Sequence, residues 1–499
     1  MPNTGSTYRK PYLTLTFLFT GLAALLLLAA IVYWRAHRAP ALFVKTDANP
    51  KAAVLGSALA AAKRLNYVHV EPRVATRLAQ EGAEVRLALF KGETHTFRVE
   101  QVSQNQNGST TSVGSLKGQP ESQAILVAGG GSLAGSIHFP DGRLYVLYPL
   151  PDQVLAVMEV LPEFQPDCDR THSKPIYSPD GKAVMAFQTV PKVAKDIKST
   201  RIQLRIATTR STGNGDSGTK TITLTGKPTV SKPTPPSNPN GTGTKTTKTA
   251  GTGCRKPKSG GAAPSAKPGS GGGTIDILIA YTPGAVANHG GVTNVQNMIN
   301  LAVAQANTAF QNSEINTNLR LVHTTQVQHS GTSIMNDLSA VTSGTSPAMK
   351  QIHDLRKQHK ADLVSLFTEA HGSSAVGVAW LGSSSMPQYG FSVVELWTAP
   401  MMTFSHEVGH NLGCNHNTGD KGIYNYSVGH RFNGTATSGS GQSQYRTVMS
   451  YAPGTRALYF SNPSVSYRGT ATGVKDQNDN SRTVNQTAGT VAKYSDSLQ

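Results

Sequence analysis

One short run near residue 400 constrains this 499-residue chain more than any other feature: His406-Glu407-Val408-Gly409-His410-Asn411-Leu412-Gly413-Cys414-Asn415-His416. On a helix, residues four apart project from one face, so His406 and His410 can reach a common point. Glu407 is offset by one position and can hold a water beside that point. Gly413 permits a left-handed turn that ends the helix. The reversal brings His416 round as a third ligand. Three imidazoles with one position left open is the geometry of a catalytic zinc, and the spacing does not offer a closed four-ligand structural site.

The charge pattern shows where partners are not to be sought. The net charge is +18 with 46 Lys+Arg against 28 Asp+Glu, which on its own suggests polyanions. The excess lies upstream of the motif. Residues 274–499 carry 13 basic and 12 acidic side chains, whereas residues 210–273 carry 10 basic and 1 acidic. Specific nucleic-acid recognition is therefore not expected. Residues 210–273 are rich in Thr, Lys, Pro, Gly and Ser, as in Lys232-Pro233-Thr234-Pro235-Pro236, and cannot bury enough apolar surface to order themselves. They read as an exposed basic linker and a site of proteolysis.

Near the start, after a flank of residues 1–11, Tyr12 to Trp34 runs without a formal charge, and Leu25-Leu26-Leu27-Leu28 lies inside it. At about 1.5 Å per helical residue this spans a hydrocarbon core of about 30 Å. The segment reads as a single transmembrane signal anchor or as a cleaved signal peptide, with Ala39-Pro40-Ala41 as a small-residue cleavage site. Either places the rest of the chain outside the cytosol, membrane-anchored or secreted. Three cysteines exclude a disulfide scaffold.

Residues 45–209 read as a mostly-β unit, with strand-like runs such as Val85 to Phe90 and Arg143 to Leu147 and turns at Asp141-Gly142 and Asp180-Gly181. Residues 274–499 read as one α/β domain. Thr274 to Tyr281 is a strand. Val292 to Phe310 is a helix, with Val295, Ile299, Ala302, Ala306 and Ala309 on one face. Strands at Leu319–Val322, Asp362–Phe367 and Val376–Gly382 and a helix at Ala348–His359 complete a twisted, largely parallel sheet with crossover helices.

The full motif resembles that of the metzincin metallopeptidases. Arg446-Thr447-Val448-Met449-Ser450-Tyr451 resembles the Met-turn of that clan. Ile275 to Pro283 and Tyr459-Phe460-Ser461-Asn462-Pro463 extend the likeness over about 220 residues, to bacterial reprolysin-type enzymes and within them to the peptidyl-Asp metalloendopeptidase group. The resemblance implies one catalytic zinc on His406, His410 and His416, an active-site helix, and Met449 as an apolar floor beneath the imidazoles. It implies Glu407 as general base, Tyr451 near the metal or the oxyanion, and protein or peptide substrates. It also implies that the strand Gly377 to Gly382 is an upper edge along which an extended peptide pairs. Arg446 and Arg456 flank the Met-turn, where a pocket for the residue after the cut would lie and a cation would favour Asp or Glu; two solvated arginines without such a role are the competing reading. One departure is Asn417, where reprolysins usually place Asp after the third His.

Latency has two candidate thiols. In related proteases a pro-segment thiolate blocks the fourth zinc position, and Cys168 or Cys254 could do so. Arg255 and Lys256 favour the thiolate at Cys254, and Asp167 and Asp169 oppose it at Cys168. A Cys168–Cys254 disulfide and free, inert thiols are the competing possibilities. Residues 45–209 are then an inhibitory pro-domain removed by cleavage in 210–273. Two other functions compete with proteolysis: a zinc-retaining module that captures peptides without cutting, and an envelope adhesion protein gripping anionic polymers. A Ca2+ site is not demanded, because Asp420 and the run Asp476-Gln477-Asn478-Asp479 are explained equally well by turn chemistry. The sequence leaves the oligomeric state open.

Overall fold

The computed structural model describes residues 39–46, 56–161, 176–177, 184–189, 272–372, 375–382, 386–420, 422–436 and 441–498. The apolar segment 12–34, Cys168 and Cys254 lie outside the described residues, as does nearly all of 210–273. Among the described residues no helix is long and apolar enough to cross a membrane.

The upstream unit is a nine-stranded antiparallel meander. Its strands are β1 (Phe43–Lys45), β2 (Ala62–Val70), β3 (Glu84–Phe90), β4 (Glu93–Gln104), β5 (Thr110–Leu116), β6 (Gln119–Gly129), β7 (Ser132–His138), β8 (Leu144–Pro149) and β9 (Val154–Val160). Their spatial order is β1-β2-β9-β8-β7-β6-β5-β4-β3. The two ends meet. Leu42 N–H donates to the Arg86 carbonyl at 2.8 Å and Arg86 N–H donates to the Pro40 carbonyl at 2.7 Å, so the sheet closes into a barrel. Alternation of burial along β3 turns Val85, Leu87 and Leu89 inwards. Strands β8 and β9 depart from that pattern, because every position on both is buried. Tyr145, Leu147, Leu155 and Val157 fill the barrel. The intervening Val146, Tyr148, Val154, Ala156 and Met158 belong to a second core, shared with the downstream unit.

The downstream unit contains a mixed seven-stranded sheet in the order β10-β11-β15-β16-β14-β12-β13. Strands β12 (Thr274–Tyr281), β13 (Asn318–Gln326), β14 (Leu363–Thr368) and β16 (Phe391–Glu395) are mutually parallel, and β15 (Ala375–Leu381) runs antiparallel to β16. Two strands come from the segment after the barrel: β10 (Ile176–Tyr177) and β11 (Val184–Thr189). Strand β11 pairs antiparallel along β15 from Val184↔Leu381 to Thr189↔Ala375. The expected open edge at Gly377–Gly382 is therefore occupied, in this structure, by the chain's own backbone.

Helix α1 (Val292–Asn312) crosses beneath the sheet with two buried sides. Its apolar face is the expected Val295, Ile299, Ala302, Ala306 and Ala309. Its other side carries amides that bond the barrel: Asn297 Nδ2 to the Gly129 carbonyl at 3.1 Å, Gln305 Nε2 to Ser136 Oγ at 2.9 Å and Asn312 Nδ2 to Gln123 Oε1 at 2.9 Å. Helices α2 (Ile334–Ser343) and α3 (Pro347–Gln358) cover another face. Both begin with a serine whose hydroxyl caps a free backbone N–H, Ser333 for α2 and Ser346 for α3.

The loop that feeds β15 is pinned electrostatically. His371 is buried, with Nε2 at 2.9 Å from Asp337 Oδ2 of α2 and Nδ1 at 3.4 Å from Glu395 Oε1 at the end of β16. Asp337 also accepts from His329 Nε2 at 2.8 Å. Asp337 and then Glu395 push the His371 pKa up to about 10, against the opposing effect of burial. A raised pKa contributes stability that is complete below the ordinary histidine value and is lost as pH rises through the folded value. Thermal unfolding of the full chain should therefore show a loss of stability between about pH 7 and pH 10 that His371→Gln removes. The same alkaline slope in that variant would show that the charge on His371 plays no part.

Candidate metal centre

The active-site helix α4 (Thr403–Asn411) is short and wholly buried. It follows the turn Leu396–Met401, and Met402 before it adopts a left-handed conformation with φ 68°. His406 and His410 project from one face. At Gly413 the backbone turns with φ +93°, a conformation that glycine adopts without strain, and carries the chain back to His416. The three metal-facing nitrogens converge: His410 Nε2 lies 3.0 Å from His406 Nε2 and 2.9 Å from His416 Nε2. Among the described residues this is the one group of three or more His, Cys, Asp or Glu side chains close enough to share an ion.

The other ring nitrogens explain why these rings face inwards. His406 Nδ1 lies 2.9 Å from the Val448 carbonyl, and His410 Nδ1 lies 2.8 Å from the Cys414 carbonyl. A proton held at Nδ1 by a carbonyl leaves Nε2 with its lone pair free for a metal. Burial lowers the pKa of all three rings, to about 4 for His410, so they are neutral near pH 7. His416 differs from the others. Its Nδ1 makes a short contact with the Tyr451 hydroxyl, and the two rings stack at 4.2 Å between centroids. Tyr451 is thus placed on the outer nitrogen of the third ligand, rather than on the metal-facing side.

Glu407 is fully buried, and neither carboxylate oxygen has a hydrogen-bond partner among the described protein groups. Burial raises its pKa well above the usual carboxylate range, and the nearby Arg456 opposes that. The backbone of β15 passes beside it, since a Cβ built on Gly377 would lie 2.4 Å from Glu407 Oε1. An orphaned buried carboxylate next to three convergent, neutral imidazoles fits a site built to hold a cation and a water. The donor set is nitrogen-only and three-fold, which suits zinc with an open position.

The segment after the ligands forms the floor. Met449 is buried under α4, and a Cβ built on Gly409 would meet its sulfur at 2.4 Å, so only glycine permits this approach. Asn417 Oδ1 accepts from Ser450 Oγ at 3.1 Å and from Tyr451 N–H at 3.2 Å. The residue that departs from the reprolysin pattern therefore ties the third-ligand loop to the Met-turn. Arg446 is fully buried and donates to the Gly454 carbonyl and the Ser450 carbonyl, each at 2.8 Å. It braces the turn. Arg456, its register partner across β17 (Gln442–Arg446) and β18 (Thr455–Arg456), is also buried, and its charge bears on Glu407, His406 and His416. The two arginines therefore have different surroundings.

Cys414 is buried and free, with Sγ at 3.9 Å from the Asn480 carbonyl, and burial pushes its thiol pKa up. It packs and does not react. The acidic loop residues are occupied in turns and caps. Asp420 accepts from Asn417 N–H at 2.9 Å, Asp479 caps the helix Asn480–Val491, and Asp476 pairs with Arg482.

Comparison with known proteins places this geometry. Residues 272–479 match the reprolysin-like family of M12B metallopeptidases. The chain is 32% identical over 229 residues to a peptidyl-Asp metalloendopeptidase of Stenotrophomonas maltophilia, covering 44% of this chain and 52% of that protein. It is 30% identical over 228 residues to the protein of that name in Xanthomonas campestris, with 44% and 52% covered. In Pseudomonas aeruginosa the figures are 30% over 216 residues, with 38% and 34% covered. The chain spans about half the length, or less, of these curated relatives.

Proposed function

We propose that this chain, whose residues 272–479 form a reprolysin-like metallopeptidase domain, is a zinc-dependent endopeptidase acting on extracytoplasmic proteins. One observation carries the reading: three convergent Nε2 atoms beside a buried Glu407 whose two oxygens have no protein partner. His406, His410 and His416 would hold the ion. Zinc, when bound, supplies Lewis acidity to a water and to the scissile carbonyl. Glu407 takes the proton of the attacking water and returns it to the leaving amine. Burial serves this role, because a carboxyl with a raised pKa holds the transferred proton more readily. Val448 and Cys414 keep the imidazoles oriented through their carbonyls. The orphaned carboxylate speaks against a module that captures peptides without cutting them. Glu407→Gln should retain zinc and lose about 10²–10⁴-fold of casein hydrolysis, while His410→Ala should lose the zinc itself. Metal content and rate, measured on the chain after cleavage within 190–271, separate the two effects. Undiminished hydrolysis by Glu407→Gln would refute the assignment.

The substrate would lie extended along β15 and pair with it through main-chain hydrogen bonds. Arg456, buried beside Glu407, supports a preference for an acidic residue directly after the cut, in keeping with the name that the relatives carry. Removing one partner of a buried charge pair costs about 2 kcal/mol or more, roughly a 30-fold change. Peptides differing only by Asp or Leu at that position should differ by about this factor, and Arg456→Ala should abolish the difference. Equal cleavage of both peptides by the parent enzyme would exclude a basic pocket selecting acidic residues.

The chain would be made latent. Strand β11 lies antiparallel on β15, where the substrate would lie, and this supports a precursor blocked by its own backbone. Neither Cys168 nor Cys254 is required for such a block. Proline lacks the N–H that pairing needs. The double substitution Ala186→Pro/Phe187→Pro should therefore raise the activity of the uncut chain towards that of the cut form. Unchanged low activity would locate the block elsewhere.

A further inference from the structure

The barrel and the metallopeptidase unit share one apolar core. Strands β8 and β9 are two-faced: residues that fill the barrel alternate with apolar residues that leave it, and every position is buried. On β6 and β7 the outward face mixes Ile125, Val127 and Ala134 with the polar Gln123, Ser132, Ser136 and His138. On the outward face Ile125, Val127, Val146, Tyr148, Val154 and Met158 all lie in the core that also contains Met298, Leu301 and Trp397. A strand with water on one side shows apolar and polar residues in alternation; one apolar on both faces is covered on both. Were the barrel to leave, these side chains would form a contiguous exposed patch of the kind that soluble monomers avoid.

The polar contacts across the boundary are also matched. Tyr148 hydroxyl donates to the Trp397 carbonyl at 2.5 Å. Ser132 Oγ donates to Asn294 Oδ1 at 2.7 Å, and Asn300 Nδ2 donates to Asn107 Oδ1 at 3.1 Å. Gln305 joins three parts: its Nε2 lies 2.9 Å from Ser136 Oγ in β7 and 2.8 Å from the Pro400 carbonyl. Trp397 and Pro400 belong to the turn that runs directly into α4. The barrel thus holds the segment from which the zinc-binding helix starts. Apolar area without such pairing could be a chance collapse, whereas buried amides bonded across a boundary, where of those named only Gln305 Oε1 lacks a partner among the described residues, indicate a permanent fit.

We propose that the barrel, residues 39–161, is a permanent subunit of the mature enzyme. Cleavage within 190–271 would yield two chains that stay together, with the barrel seated on α1 and on Leu396–Met401 to position the active-site helix. The inhibitory element is then confined to the segment after the barrel, and the barrel itself is not discarded. The proposal rests on the reading of latency above only in assuming a cut in that region. Its test reads association, so its failure is distinct from failure of that reading.

The test uses the full chain carrying Glu407→Gln, which prevents self-digestion, cut within 190–271 by a Lys-specific protease. Size-exclusion chromatography at about 0.1 µM, well below the micromolar range of transient contacts, should show both fragments co-eluting with the zinc. Val146→Asp on the outward face should make them separate. Should that variant fail to fold, Tyr148→Phe with Gln305→Ala should speed dissociation of the cut form about 10-fold or more. Hydrogen exchange of α1 should be as slow in the cut form as in the intact chain. Separate elution of the fragments, or loss of the barrel as a precipitate while the metallopeptidase fragment keeps its zinc, would overturn the proposal.

Discussion

Three imidazole nitrogens held within 4.8 Å of one another, two of them about 3 Å from the third, are a costly arrangement for a protein to maintain, and much of the downstream unit is organised around it. The rings are buried and neutral, so their lone pairs face each other. Two of them are fixed by carbonyls that come from different directions, Val448 from the segment below and Cys414 from the end of the same helix. The Val448 carbonyl can reach His406 only if the Met-turn lies close under α4, and Gly409 permits that approach. Asn417 then locks the third-ligand loop to the same turn. The metal centre is thus less a property of the motif than of the contact between α4 and residues 446–451.

The second constraint is the placement of β15. Its backbone passes close enough to Glu407 at Gly377 that a side chain there would displace the carboxylate. A strand so close to the base can align a peptide with the reacting groups, because main-chain pairing fixes the peptide along the direction of the strand. The same closeness makes β15 a place where any other strand also blocks. In this structure β11 pairs with it in antiparallel register, and the shared charge network of Asp337, His371 and Glu395 holds the loop that begins β15.

The metal ligands were legible in the sequence because their geometry is local. A helix brings positions four apart together, and one glycine turn returns the third. The strands and helices of the downstream unit were legible for the same reason, although β16 and α2 were not separated from the runs around them. What could not be read was non-local. The closure of the barrel depends on Pro40 and Leu42 meeting Arg86, and the capture of β15 depends on a segment far upstream; no local pattern encodes either. Asn417 read as a departure from a pattern, and only its bonds to Ser450 and Tyr451 show its role. The two arginines looked alike from their positions beside the Met-turn, yet Arg446 donates to two carbonyls, whereas the charge of Arg456 bears on Glu407 and His416 as well as His406. A visible signal was present for the barrel interface. The unbroken apolar run Val154-Leu155-Ala156-Val157-Met158 marks a strand covered on both sides, though not what covers it.

On the latency and the retained barrel proposed above, two tasks that a pro-region usually combines would be separated in different parts of the chain. Blocking requires a segment that can leave, and β11 suits this: it is short and it is held to β15 by backbone pairing. Supporting the active-site helix requires a part that stays, and the barrel suits that, with two apolar faces and paired amides along α1. Had both tasks fallen to the barrel, activation would have to break an apolar core to free the cleft. With the tasks divided, the cleft can open while the support of α4 through Tyr148, Gln305 and the turn Leu396–Met401 is left intact.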